Sequence, residues 1–246
     1  MPYAAVNGLN LYYEIHGDGP PLLLINGGAC AIEVPPLGLS AFAAERRVIA
    51  YDPMGHGRTA DNPERSFHYH ELAEDAAELL RQLGIDRADV VGFSDGGNTG
   101  LDLAIHHPER VAKLVVTGAN FDPDGTNAES LEWVLNAEPE DWPPFLRETH
   151  RERSPDGPDG WARLLGRLQP MWRSEPAFSP DDLGRIRSPT LVIVGDRDVV
   201  TAEHAVAMFR AIPGASLCIV PGAEHGVMPM DTVLGFLRGT VSPSHG

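Results

Sequence analysis

Positive charge is scarce in this sequence. Across 246 residues, 19 Lys and Arg stand against 35 Asp and Glu, which gives a formal net charge of −16 at pH 7. A nucleic-acid partner needs a basic surface to neutralise its phosphates, so we expect no nucleic-acid binding. Net charge affects solubility and long-range steering rather than the fold, so the acidic balance does not by itself identify a substrate.

Cysteines and long apolar runs are also few. Cys30 and Cys218 are too distant from each other to suggest a disulfide framework, which favours a reducing compartment. No apolar run approaches the roughly 20 residues that cross a bilayer. The first residues lack the basic start and apolar core of a signal peptide. We therefore expect a soluble, cytoplasmic protein with one buried core and no membrane partner.

Short apolar runs recur along the chain and predict a buried sheet. They lie at residues 22–25, 48–51, 88–91, 114–116, 191–194 and 217–220. Runs that are apolar on both faces are typical of parallel strands covered by helices. Amphipathic patterns at 66–83 and 202–212 predict two of these helices, and Asn7-Gly8 predicts a hairpin turn before the sheet. The predicted fold class is α/β, a mostly parallel central sheet with an N-terminal hairpin and helices on both faces.

The alternation breaks between residues 120 and 180. This stretch is too long for a simple crossover, and it contains all four tryptophans, Trp133, Trp142, Trp161 and Trp172. We predict a helical cap at 120–180, inserted into a core made of residues 1–119 and 181–246. Two uses of the tryptophans remain open: attaching the cap to the core, or lining a substrate pocket for an apolar acyl or alcohol group.

Gly92-Phe93-Ser94-Asp95-Gly96 follows the run at 88–91 and precedes an amphipathic segment at 98–106. This Gly-x-Ser-x-Gly pattern predicts a strand that turns sharply into a helix and exposes the serine hydroxyl. A Cβ at either glycine would collide with the backbone of so tight a turn. Because a serine hydroxyl is a weak nucleophile without a base, the pattern requires a nearby imidazole and a group that orients it.

Two later strand ends supply these groups. Asp196 and Asp198 follow the run at 191–194, and His225 follows the run at 217–220. The carboxyl ends of parallel strands share one edge of the sheet, where ligands bind. The chain order of serine, acid and histidine is associated with one particular fold.

Five motifs in this order resemble the α/β-hydrolase fold family. They are the oxyanion loop 26–28, the stretch 51–59, the nucleophile elbow 92–97, the acid loop 195–198 and the histidine loop 222–225. The resemblance runs nearly end to end and is weakest across the cap. Asn26 stands where the family usually has histidine, and an asparagine can still hold the loop by hydrogen bonding.

The resemblance implies a role for each residue of the site. Ser94 is the nucleophile, His225 the general base and then acid, and Asp198 the carboxylate that holds the imidazole. The backbone N–H groups of Gly28 and Asp95 form the oxyanion hole. The lesser alternatives for the acid are Asp196, Asp122 and Asp124. We expect Glu224 to face solvent and His56 to be a structural loop residue.

The remaining histidines do not predict a metal site. His68, His70, His106 and His107 show no metal-ligand spacing, because no acidic or cysteine partners are grouped with them in the sequence. We expect no metal and no cofactor.

Asp95, directly after the proposed nucleophile, has two interpretations. The Gly-x-Ser-Asp-Gly-Gly form is similar to that of the valacyclovir hydrolase branch, which acts on α-amino-acid esters, so this carboxylate could pair with a substrate amine. Alternatively, Asp95 caps the helix that begins beside it, where an acid is favoured by about 0.3–1 kcal/mol.

The predicted function is hydrolysis of a small carboxylic ester through an acyl-enzyme. The same triad would serve lactone opening, thioester cleavage, C–C bond hydrolysis or perhydrolysis. A protein of another class, a ligand-binding receptor with little or no turnover, is a further alternative on this scaffold. The sequence determines neither the substrate nor the oligomeric state.

Overall fold

A computed structural model describes residues 2–34 and 38–240 of the chain. Its centre is an eight-stranded sheet of order β1-β2-β4-β3-β5-β6-β7-β8. The strands are β1 (Tyr3–Val6), β2 (Leu9–His16), β3 (Pro21–Ile25), β4 (Arg47–Tyr51), β5 (Ala88–Phe93), β6 (Val111–Thr117), β7 (Thr190–Gly195) and β8 (Ser216–Val220). The β1–β2 and β2–β4 pairs are antiparallel and the other pairs are parallel. The predicted fold class is therefore confirmed.

Helices connect most of the strands. They are α1 (Leu39–Ala43), α2 (Tyr69–Gln82), α3 (Asp95–His106), α4 (Ala128–Asn136), α5 (Pro144–Arg153), α6 (Gly160–Ser174), α7 (Pro180–Leu183), α8 (Ala202–Ala211) and α9 (Met230–Arg238), with a 3₁₀ turn at Pro123–Gly125. The helices predicted at 66–83 and 202–212 are present as α2 and α8. Helix α3 begins three residues before the predicted position, because the N–H groups of Gly97 and Asn98 already donate to the carbonyl of Ser94.

The sheet separates two apolar layers. Alternate residues of β3 show this separation. Leu23 and Ile25 belong to the apolar layer that includes residues of α2, α3 and α8, whereas Leu22 and Leu24 belong to the layer that includes residues of α1 and α9. Successive side chains of a strand point to opposite faces. A strand that is buried on both faces therefore reads as a continuous apolar run.

The strand β8 differs from its prediction. Its apolar run suggested a fully buried strand, but all five of its residues are partly or largely exposed, and Ile219 is 40% exposed. The reason is topological, since β8 pairs only with β7 and forms one edge of the sheet. The hairpin prediction is confirmed: Val6 pairs with Leu9, and both Asn7 and Gly8 have positive φ angles.

Helices α4, α5 and α6 lie between β6 and β7 in the chain. We call these three the cap helices. Trp161 and Leu165 of α6 belong to the same apolar layer as α2 and α3, so the cap helices are packed on the sheet domain. The domain boundaries at 119/120 and 180/181 stay a prediction.

The structure bears on two of the sequence expectations, those about disulfides and membrane-spanning helices. Both cysteines are free, with Cys30 buried and Cys218 partly buried. Within residues 2–34 and 38–240, none of the helices combines the length and the apolar character that crossing a membrane requires.

The two-glycine turn at the end of β5 gives the first prediction. A Cβ on Gly92 would lie 2.2 Å from the carbonyl oxygen of Gly96. Because that oxygen belongs to the backbone and cannot move aside, we expect Gly92→Ala to lower the free energy of unfolding by about 2–3 kcal/mol. Gly166, inside α6, has no atom within 4 Å of such a Cβ. Gly166→Ala should therefore raise stability by about 0.5–1 kcal/mol.

Urea unfolding of the two variants beside the wild type measures both effects. Equal stability of Gly92→Ala and the wild type would contradict the proposed close approach in the turn.

Candidate active site

Ser94 occupies the sharp turn between β5 and α3. Its φ of 52° lies in the left-handed region, which a residue with a side chain seldom adopts. The N–H of Ser94 donates to the carbonyl of Thr117 at 2.9 Å, and its own carbonyl accepts from Gly97 and Asn98 at the start of α3. The strained residue is thus fixed from both sides, at the carboxyl edge of the sheet.

Ser94 lies in line with an imidazole and a carboxylate. Its Oγ is 3.1 Å from Nε2 of His225, and Nδ1 of His225 is 2.6 Å from Oδ1 of Asp198. The carboxylate side chain of Asp198 is fully buried, whereas the imidazole is 29% exposed. This arrangement can pass a proton from the hydroxyl to the imidazole while the carboxylate fixes the imidazole tautomer.

The loop that carries His225 is held by its neighbours. The hydroxyl of Thr117 donates to the carbonyl of Val227 at 2.6 Å. The ring of Phe93 packs 4.8 Å from the imidazole, centroid to centroid. Gly118 lies on another side, where a Cβ would come within 2.9 Å of the ring. The position of the imidazole is therefore set by β5 and β6 as well as by its own loop.

The other acids considered for this role make different bonds. Oδ1 of Asp196 accepts from the N–H of Gly222 at 2.6 Å, and Oδ1 of Asp122 accepts from the N–H of Asp124 at 2.9 Å. Glu224 is exposed, as expected. Among the described residues, Asp198 is the carboxylate that the structure brings to His225.

The loop after β3 approaches the turn closely. A Cβ on Gly28 would lie 2.3 Å from Oδ2 of Asp95 and 2.7 Å from the ring of Trp172, so only glycine fits there. Neither the N–H of Gly28 nor that of Asp95 has an acceptor within the described part of the chain. Both donors are therefore available to an oxygen atom of a bound molecule.

Two buried side chains hold this loop. The amide of Asn26 donates to the carbonyl of Ala31 at 2.6 Å, which confirms that asparagine can support the loop by hydrogen bonding. Nε2 of His56 accepts from the N–H of Ala29, and its Nδ1 donates to the carbonyl of Met54, both at 2.9 Å. Burial lowers the pKa of His56 to about 4, so the ring is neutral and able to accept. His56 is a loop residue, as expected, but the loop it supports is the one that carries Gly28.

Asp52 connects the same loop to the next one. Its carboxylate accepts from the N–H of Ile32 at 2.9 Å and from the N–H of Arg58 at 2.8 Å. Burial raises the pKa of Asp52 to about 6, and these two hydrogen bonds oppose that rise. The predicted motif at 51–59 therefore has a structural role beside the site.

A cavity of about 800 Å³ opens above Ser94 and His225. Trp133, Trp142 and Trp172 line it, and Trp142 lies between the other two with ring centroids 5.2 Å and 5.7 Å away. Trp161, also a candidate pocket residue from the sequence, does not line the cavity. It is buried, and its indole N–H donates to the carbonyl of Pro139 at 2.9 Å. Both expected uses of tryptophan therefore occur. Trp161 packs the cap helices, and the other three tryptophans line the cavity.

The charges in the cavity wall are of one sign. Asp95, Glu129 and Glu175 line it, and no Lys or Arg does so among the residues that the structure describes. The sequence indicated only the first of these, since Glu129 and Glu175 come from the cap segment, where no motif marks them. The wall therefore favours neutral or cationic ligands over anionic ones.

The carboxylate of Asp95 faces this cavity rather than the end of its helix. Oδ1 accepts from the hydroxyl of Tyr69 and Oδ2 from the indole N–H of Trp172, each at 2.8 Å. The side chain of the N-cap residue Ser94 makes no capping hydrogen bond, and Asp95 lies in the first turn of α3, where an acid is favoured. The carboxylate of Asp95 is thus bonded to Tyr69 and Trp172 while it keeps this favourable place in the helix. Burial raises the pKa of Asp95, and the bonds from Trp172 and Tyr69 partly oppose this.

Cys30 also lines the cavity. Burial, together with the nearby charge of Asp95, raises the pKa of its thiol to about 12. A thiol is nucleophilic as its thiolate. Cys30 is therefore a protonated thiol at neutral pH and a poor nucleophile.

The expectation that no acidic partner is grouped with the histidines outside the cavity is wrong at one place. Asp102 lies four residues before His106, and the structure brings His70 to the same carboxylate. The sequence did not reveal this group because His70 belongs to α2 and the other two residues to α3.

Comparison with known proteins agrees with the fold. A family model described as the alpha/beta hydrolase fold matches residues 20–182, which is more than half of the chain. The chain belongs to the α/β-hydrolase family.

The relatives of this α/β-hydrolase are named as hydrolases. A putative carbamate hydrolase, RutD, of Azorhizobium caulinodans is 41% identical over 246 residues, covering 92% of this chain and 91% of the relative. The human serine hydrolase BPHL is 28% identical over 243 residues, covering 91% and 79%. The meta-cleavage product hydrolase CumD of Pseudomonas fluorescens IP01 has a similar fold, with a TM-score of 0.79, 21% identity and coverage of 97% and 95%. The chain is accordingly an enzyme with hydrolase activity.

The neutral state of His56 gives a prediction about pH. The pKa of histidine is about 6.5 in an unfolded chain and about 4 for His56 in the fold. Between these values the unfolded chain binds more protons, so the stability that neutral His56 contributes is present above pH 6.5 and is lost as the pH falls toward 4. In the wild type this contribution should fall by about 2 kcal/mol from pH 7 to pH 5.

The comparison with His56→Gln isolates this residue from other titrating groups, including Asp52, whose shift acts in the opposite direction. Urea unfolding of both proteins at pH 7, 6 and 5 should show the stability gap shrinking with acidity. A gap that does not change with pH would contradict the assignment.

Proposed function

We propose that this α/β-hydrolase is a serine hydrolase that cleaves a small carboxylic ester through an acyl-enzyme. The observation that carries the proposal is the pair of contacts from Ser94 to His225 at 3.1 Å and from His225 to Asp198 at 2.6 Å, with Ser94 and His225 in the cavity wall. Residues 120–180 act as a cap that encloses the substrate. No metal or cofactor takes part.

The reaction begins when Nε2 of His225 accepts the hydroxyl proton of Ser94 and the serine oxygen attacks the ester carbonyl. Asp198 accepts a hydrogen bond from Nδ1–H of His225 and stabilises the imidazolium that forms. The imidazolium then gives its proton to the departing alkoxide, which leaves the acyl group on Ser94. Water, activated by the same imidazole, attacks the acyl-enzyme and releases the acid and the free hydroxyl.

The negative charge that forms on the carbonyl oxygen needs preorganised donors. The N–H groups of Gly28 and Asp95 supply them, one from the loop after β3 and one from the first residue of α3. Loss of one such donor typically costs about 100- to 1,000-fold in rate. This need explains why His56 and Asn26 hold the loop so firmly.

The cavity wall restricts the substrate further. The carboxyl groups of Asp95, Glu129 and Glu175 lie in a wall to which no Lys or Arg of the described residues contributes, and Glu175 is bonded to the imidazole of His68. An anionic ester would be repelled by them, and a cationic one would be attracted. The aromatic wall of Trp133, Trp142 and Trp172 accommodates an apolar group. We therefore assign a neutral or cationic ester as the substrate class.

Labelling with a fluorophosphonate probe tests the nucleophile. We expect the wild type to gain the mass of a single adduct, and Ser94→Ala to gain none. Ser130 also lines the cavity, so Ser130→Ala is a matched control that should be labelled normally. Ester hydrolysis by Ser94→Ala should fall by at least about 10⁴-fold, and Asp198→Asn should lose about 10⁴-fold in kcat.

Folded wild-type protein that is neither labelled nor able to turn over any ester of a broad panel would contradict the proposal. The ligand-binding receptor would then be the better description.

A set of matched esters tests the charge preference. Aryl esters with acyl groups of equal size, one with a free amine, one neutral and one with a carboxylate, should differ in kcat/KM. We expect the carboxylate ester to react at least about tenfold more slowly than the neutral one, since a like charge in the cavity costs more than about 1.4 kcal/mol.

Asp95→Asn should reduce the ratio of kcat/KM between the amine ester and the neutral ester. Glu132→Gln is the control, because Glu132 is an exposed acid of α4 that does not line the cavity. Equal losses on both esters for Asp95→Asn would mean that this carboxylate only positions Trp172 and Tyr69.

A further inference from the structure

The first turn of α2 and the last turns of α3 carry a group of side chains that the proposed reaction does not use. Helices α2 and α3 pack against each other. His70 is the second residue of α2, and Asp102 and His106 lie one turn apart on α3. Residues four apart on a helix share a face, so α3 presents both of its side chains toward the start of α2.

The three side chains converge on one point. Nδ1 of His70 and Nδ1 of His106 are each 2.9 Å from Oδ1 of Asp102. The two imidazole centroids are 4.6 Å apart. One ligand atom from each of the three residues lies within 4.8 Å of the others. Around a tetrahedral zinc ion, neighbouring nitrogen and oxygen ligands are about 3.3–3.4 Å apart, so small side-chain rotations suffice to admit an ion.

The electrostatics of this group favour a cation. The side chain of Asp102 is 4% exposed, and its ion-pair partners among the described residues are the two imidazoles. Neither imidazole carries a full charge at neutral pH unless it is protonated. A buried carboxylate without a permanent cation is costly. A divalent ion would compensate the charge and use both imidazoles in neutral form.

We propose that His70, Asp102 and His106 bind a divalent transition-metal ion, with zinc as the representative ion. Two imidazoles and one carboxylate form a ligand set that zinc, cobalt and nickel accept, and water completes the coordination. Oε1 of Glu74 is bonded to Nε2 of His107 at 2.6 Å and lies 3.9 Å from Nε2 of His70, so it adds negative charge near the site without a hydrogen bond to His70.

The site is separate from the proposed active site. Asp102 lies eight positions after Ser94, which corresponds to about 12 Å along the axis of α3. The ion would fix the start of α2 to the end of α3. Tyr69, which hydrogen-bonds to Asp95, is the first residue of α2, and Asp95 is the first residue of α3. The metal therefore stabilises the two helices whose first residues meet beside the cavity.

Titration of metal-free protein with zinc chloride tests the proposal. After treatment with EDTA and its removal, calorimetry should show about one site per chain. His70→Gln and His106→Gln should each weaken zinc binding at least about tenfold. His16→Gln is the matched control, because His16 is a partly exposed imidazole that is also paired with a carboxylate, Glu14, at 2.7 Å. This control should bind zinc like the wild type.

Thermal unfolding gives a second measurement. Free zinc at 100 times its dissociation constant should raise the Tm of the wild type by about 5–10 °C, and that rise should be smaller in both ligand variants. Circular dichroism without metal establishes that the variants fold.

Three outcomes would overturn the proposal. They are no zinc binding by the wild type at millimolar concentration, unchanged affinity in both ligand variants, and loss of binding in His225→Gln alone, which would place the ion in the cavity. Because none of these measurements uses turnover, failure of the metal site and failure of the proposed hydrolase reaction are distinguishable.

Discussion

The close contact between Gly92 and Gly96 is the constraint on which the site depends. Without side chains at these two positions, the backbone can turn from β5 into α3 within a single residue. That residue, Ser94, is forced to a φ of 52°. The strain is held by hydrogen bonds to β6 on one side and α3 on the other. As a result the hydroxyl stands above the sheet, and the first N–H of α3 stands beside it.

Buried carboxylates then connect the loops around this turn. Asp52 accepts hydrogen bonds from two different loops. Asp95 accepts them from side chains of α2 and α6, and Asp198 accepts one from His225. Each carboxylate is bonded to elements that are distant in the chain, so each fixes one part of the site against another. The same principle applies at Asp102, where the partners are the two imidazoles. In this acidic chain, several acids are therefore buried and join separate elements by hydrogen bonds, while others remain as surface charge.

The sequence predicted the fold well where a local pattern has one physical cause. Helices α2, α3 and α8 and the hairpin at Asn7-Gly8 depend on periodicity and turn chemistry, which neighbouring residues determine. It was less accurate at β8, because an apolar run does not reveal whether a strand has one neighbour or two. It also did not show that Trp161 is buried away from the cavity while the other three tryptophans line it. Tertiary packing, not local sequence, decides which tryptophan reaches the cavity wall.

The sequence by itself determined the order of the elements and the chemical groups at the strand ends, because glycine spacing and apolar runs act over a few residues. The tertiary structure alone decided which groups meet. In the folded chain, Asp198 and not Asp196 is hydrogen-bonded to His225. The carboxylate of Asp95 accepts hydrogen bonds from Tyr69 and Trp172. His56 accepts a hydrogen bond from the loop that carries Gly28. These choices depend on the distance between residues far apart in the chain, and only the packed sheet and helices fix that distance.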